Sequence, residues 1–121
     1  MHLVLAYLFA VLLIVSAVAH IVNPAFYEPL IPDFISSKFA NILSFITELA
    51  AGVLLILPAY RHWGGLAFMA LMIAFMPLHI WDFTKDAPMV GSKNAAIVRI
   101  IVQVLLIYAG WWIYSSGKPS L

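Results

Sequence analysis

His20, Glu48, His79, Asp82 and Arg99 are ionisable residues lying inside or at the ends of otherwise apolar stretches, and Gln103 is an amide in the same setting. Imidazole and carboxylate can exchange protons near neutral pH, and a planar guanidinium can hold a carboxylate through two parallel hydrogen bonds. Placed in hydrocarbon, each charge costs several kcal/mol unless it finds a partner or water, so residues of this kind mark a site.

The stretches around them are membrane spans. The chain has 121 residues, of which 65% are hydrophobic and 9% charged, against about a quarter charged in an ordinary soluble domain. Four apolar runs, Leu3–Val22, Phe39–Leu57, Trp63–Trp81 and Ala95–Tyr114, each approach the roughly 20 residues that cross a bilayer as helix. A soluble bundle would need a polar face on every helix, and Leu3–Val15 and Val102–Ile107 offer almost none. The expected fold is all-α, a single four-transmembrane-helix antiparallel bundle over residues 1–121 in contact with the lipid bilayer. The first run lacks a basic flank and continues past the small-residue trio Ala17-Val18-Ala19, so it reads as a retained helix rather than a signal peptide. A net charge of +1 without basic clusters argues against nucleic acid, and the absence of cysteine removes thiol chemistry.

The short connection Pro58–His62 makes helices two and three antiparallel neighbours at one surface, here called side A. The longer connections, Asn23–Lys38 and Asp82–Asn94, then lie at side B. Tyr60, Trp63, Trp111, Trp112 and Tyr114 fall at the side A interface and Phe26, Tyr27, Trp81 and Phe83 at side B, as amphipathic rings prefer. Arg61 and Lys118 on side A against Lys38, Lys85 and Lys93 on side B leave orientation open, and Arg61 and His62 read as surface residues. The first connection carries apolar residues at helical spacing interrupted by Pro24, Pro29 and Pro32. It reads as short turns along the interface, either a lid over the side B end or a plain connector, with Asn23 capping and Pro24 at the first position. Close helix approach is expected at Ala70 and Ala74 and around Ala50, Ala51 and Gly52.

Within the bundle the polar residues share one half. At ~1.5 Å per residue, Glu48 lies near the midplane, Arg99 about 8 Å and His79 and His20 about 10 Å towards side B, with Asp82 at the rim. Ser16 with His20, Ser44 with Glu48, His79 with Asp82, and Arg99 with Gln103 are each three or four residues apart, so every helix presents one polar stripe. The expected binding site or buried polar network is Glu48, Arg99, Gln103, His79 and His20, with Asp82, Asn23 and Tyr27 at its rim. Glu48 and Arg99 are the expected ion pair, with Gln103 filling a remaining lone pair. That pair either serves the site or fixes helix register. No metal-ligand spacing is present, and Pro77 is expected to kink helix three beside His79.

The ordered set His20, Asn23-Pro24, Tyr27, Glu48 with Gly52, Pro58, Arg61, Pro77 with His79, and Arg99 with Gln103 resembles the DoxX-like family of small four-helix integral membrane proteins. The resemblance implies a bacterial-type inner-membrane location, a redox-protein partner or a homo-oligomer, and quinone as the candidate cofactor for a site that also suits a small organic acid. It departs from relatives that work through cysteine pairs. The alternative is a non-enzymatic accessory subunit that docks a partner; a small transporter would need polar groups in the side A half, which has few.

Overall fold

The computed structural model describes residues 1–89 and 91–117; Lys118 lies outside them. Four long helices, α1 (His2–Val22), α2 (Ser37–Ile56), α3 (Arg61–Thr84) and α4 (Lys93–Gly117), are joined in order, with a 3-10 segment, Pro24–Leu30, between the first two. All four are long and apolar enough to cross a membrane, as the runs in the sequence require. Helices α1, α3 and α4 extend to or past the ends of their apolar runs through interface residues, which cost little at headgroup level, and α2 starts before its run and stops at Ile56, one residue short of its end.

The helix ends follow local chemistry. The Ser36 side chain accepts from the Phe39 backbone N–H at 3.3 Å, and Ser92 accepts from Ala95 at 3.1 Å, opening α2 and α4. Asn23 stands where a cap was expected, before Pro24, but makes no side-chain cap bond and is exposed. Its carboxamide therefore belongs neither to the cap nor to the site. Helix α3 runs unbroken through Pro77.

Arg61 is not a surface residue. Its Nε donates to the Leu55 carbonyl at 2.9 Å and its Nη2 to the Ile56 carbonyl at 3.0 Å, closing the otherwise unsatisfied end of α2. Nη2 also reaches the Tyr7 hydroxyl at 3.1 Å, tying the side A ends of α1, α2 and α3 together. His62 is likewise buried, with its ring against Trp63 and Tyr114. A charged donor over main-chain carbonyls at a membrane surface satisfies both, which is why the sequence position alone misleads. Arg61→Ala is expected to lower stability by about 1.5–3 kcal/mol in thermal unfolding of the purified protein. An unchanged midpoint would mean that water replaces the cap without loss.

Around the bundle the helices pack in chain order, α1 on α2, α2 on α3 and α3 on α4, and the seam between α1 and α4 is the least closed. Helix α1 buries Ala6, Phe9, Ala10, Leu13, Ala17 and His20, a single stripe at helical spacing that starts apolar and ends on imidazole. Phe9 and Phe68 stack at 4.5 Å between ring centroids, within an apolar plug that includes Leu13, Leu55, Met72 and Ile113. The plug fills the side A half and leaves the side B half to the polar residues. Backbones approach most closely at Gly64, Gly65 and Gly110, whereas Ala50, Ala70 and Ala74 are exposed and take no part in close packing. The outer faces carry Val4, Leu8, Val11, Val98, Ile101 and Leu105, the surface that lipid would cover.

Candidate functional site in the side B half

Glu48, 3% exposed, does not meet Arg99. Its Oε2 faces His20 Nε2 at 2.9 Å, and its Oε1 accepts from the Ser16 hydroxyl at 2.8 Å. Helices α2 and α4 lie diagonally across the ring with no packed interface, while α1 presents His20 beside α2. Adjacency therefore decides the pairing, and it overrides the better geometric match of guanidinium to carboxylate.

The hydrogen bonds around this pair have defined directions. Asn41 Nδ2 donates to the Ser37 carbonyl at 2.9 Å, so its Oδ1 is the atom turned to His20 Nδ1, 2.7 Å away. A carboxamide oxygen only accepts, which puts a proton on His20 Nδ1. His20 Nε2 and Glu48 Oε2 must then share one further proton, since two bare acceptors at 2.9 Å would repel. Whether that proton rests on nitrogen or oxygen, the pair is neutral as a unit. On the other side, Ser16 gives its proton to Glu48, so the Tyr27 hydroxyl donates to Ser16 Oγ at 3.3 Å. Tyr27 also stacks on the His20 ring at 3.7 Å. It belongs to the network rather than to the rim.

Asn41 is the participant that residue-type reasoning missed. Its signal was present: Ser37, Asn41, Ser44 and Glu48 fall at intervals of three and four, one face of α2. Being uncharged, Asn41 did not stand out among the ionisable residues.

Asp82 is not a rim residue either, at 1% exposed. Its Oδ1 accepts from the Met89 backbone N–H at 2.8 Å and lies 3.6 Å from Lys85 Nζ, so it holds the start of the α3–α4 connection to the helix end. Lys85 in turn donates to the Pro29 carbonyl and fastens the 3-10 segment to α3.

Gln103 donates to the Met72 carbonyl at 2.8 Å and supports α3 rather than Glu48. Asp82 Oδ2 is buried without a hydrogen-bond partner, and two further side chains have polar atoms left over. His79 is 8% exposed; its ring has a side-chain hydrogen bond with Gln103, and its Nδ1 has no partner. Among the described residues Arg99 makes neither a hydrogen bond nor an ion pair, and the carboxylate whose charge it feels is Asp82.

Both groups line the same space. A cavity of about 120 Å³ is bounded by His20, Tyr27, His79 and Arg99 with Leu30, Ile31, Phe75 and Leu78. The 3-10 segment thus forms one wall of it, through Tyr27, Leu30 and Ile31, and closes that side as a lid would. A second, more open cleft of about 320 Å³ shares Phe75, His79 and Arg99 and continues past Glu48 and Gln103 to Leu12, Val102 and Leu106 on the α1–α4 seam. Ser44 lines the same cavity as His20 and Tyr27, and His79 and Arg99, which border both spaces, are polar groups able to hold a ligand or the head of a cofactor. Among the described residues no three His, Cys, Asp or Glu side chains converge as metal ligands would.

Fold and site together define a multi-pass membrane bundle with a polar cleft in one half. The chain belongs to the family described as Domain of unknown function (DUF8561), which matches residues 9–114. No curated protein and no solved structure matches it.

Proposed function

We propose that this protein binds an amphiphilic small molecule whose head carries oxygen acceptors, a quinone or an organic acid, in the cavity between Tyr27, His79 and Arg99. The observation that carries the reading is that two polar groups without partners among the described residues, the buried His79 Nδ1 and the half-buried Arg99 guanidinium, line one cavity whose other walls are largely apolar. A polar group left without a hydrogen bond in an apolar site costs about 1–3 kcal/mol, so a ligand that supplies the missing partners gains that much. The DoxX-like resemblance supports placing such a site in a bacterial-type inner membrane beside a redox partner. In this reading the His20–Glu48 pair stands behind the cavity as a neutral, proton-sharing wall, and the chain serves as a binding subunit.

Mass spectrometry of small molecules retained by gently extracted protein tests this. The expected result is one retained amphiphile, with occupancy reduced at least ~10-fold in Arg99→Gln, the loss of one charge-assisted hydrogen bond. A stoichiometric protein partner and no small molecule, across repeated mild preparations, would replace this reading with that of an accessory docking subunit.

A further inference from the structure

The buried and half-buried charges of the side B half are not all in ion pairs. Glu48 and His20 share one proton and are neutral as a pair, and Asp82 is matched by Lys85 at 3.6 Å. Arg99 feels the charge of Asp82 but makes no ion pair among the described residues, and it is a cation on a helix that reads as spanning the membrane. A quinone would give it hydrogen bonds but no countercharge. A carboxylate gives both, because its two oxygens fit the guanidinium fork.

The path out of the cavity specifies the rest of the molecule. Past Arg99 the cleft runs along Leu12, Val102 and Leu106, and Leu12 and Val102 are themselves about half exposed on the outer face. The least closed seam of the bundle, between α1 and α4, thus leads from the unpaired cation directly to lipid. A polar solute has no reason to use such a route; a hydrocarbon tail does.

We infer that the occupant is an amphiphilic monoanion, a carboxylate on a hydrocarbon tail, with its head on Arg99 and His79 and its tail in the α1–α4 seam. This rests on the cavity being a ligand site, as proposed above, and narrows its occupant to one head chemistry.

The test compares saturable binding of radiolabelled dodecanoate and of its neutral methyl ester by the full chain in phosphatidylcholine vesicles. The acid is expected to bind at least ~10-fold more tightly than the ester. Arg99→Gln should reduce the acid to the level of the ester, and Arg99→Lys should keep part of the difference. Val102→Trp leaves every charge in place and fills the seam from its lipid face, so it should weaken dodecanoate binding while helix content stays unchanged. Equal binding of acid and ester would overturn the monoanion and leave the ligand site standing. Displacement of dodecanoate by phosphatidylglycerol at equal mole fraction would overturn the carboxylate in favour of a phosphate head. Wild-type affinity in Val102→Trp would overturn the seam as the tail's path. Absence of saturable binding by either probe overturns the monoanion, and if the extracted protein also retains no small molecule, the ligand site falls with it.

Discussion

Replacing His20 with alanine is expected to destabilise the bundle by about 3–5 kcal/mol, and adding Glu48→Gln to that variant to restore a large part of the loss. The asymmetry comes from burial. Glu48 is 3% exposed, and with His20 gone its Oε2 faces apolar surroundings with no proton to share. Its Oε1 keeps the Ser16 hydroxyl, which cannot stabilise a full charge by itself. Glutamine in place of Glu48 removes the charge, leaving the smaller penalty of the space vacated by the imidazole and of its lost stacking on Tyr27. Glu48→Gln alone should cost little, because the amide N–H can donate to His20 Nε2 while Asn41 still holds Nδ1. Reversible unfolding of the two single variants and the double variant measures the coupling. If the double variant were as unstable as the sum of the singles, a buried unpaired carboxylate would not be the source of the loss.

Gly65→Ala is expected to lower stability by about 3 kcal/mol, the upper end of what overpacking costs, although alanine is the better helix former by about 1 kcal/mol. A Cβ on Gly65 would lie 2.6 Å from the Tyr114 backbone nitrogen and 2.9 Å from the Gly110 carbonyl oxygen. Neither atom belongs to a side chain that can turn away. Helices α3 and α4 would have to separate along their contact, losing dispersion that no hydrophobic drive in lipid replaces. Gly52→Ala is the internal comparison: its nearest neighbour, at 2.8 Å, is an Ile14 side-chain atom, and the nearest backbone atom is 3.3 Å away. It should cost distinctly less. Thermal unfolding of both variants under one condition checks the order, and a more stable Gly65→Ala would mean that helix propensity outweighs close packing here.

The depth at which the polar residues gather was legible in the sequence. Four apolar runs with short connections force alternating helices, and the rise per residue then places His20, His79, Arg99 and Glu48 in one half. Periodicity likewise assigned Ser16, Ser44 and Gln103 to the same stripes as the charges. What periodicity does not carry is the order of helices around the ring. Glu48 could be assigned a depth and a face, yet its partner depends on whether α1 or α4 stands next to α2, and the two arrangements give opposite pairings.

The sequence by itself determined the helices, their alternation and the division into an apolar side A half and a polar side B half, because these follow from local hydrophobicity and repeat spacing. Only the tertiary structure decided that Glu48 shares its proton with His20, that Arg61 closes α2 from within, and that Asp82 holds a loop. It also decided that Arg99 stands beside His79 and makes no ion pair among the described residues. The physical reason is that a buried charge takes whichever neighbour the packing of small residues brings within 3 Å, and that packing is settled by contacts between residues far apart in the chain.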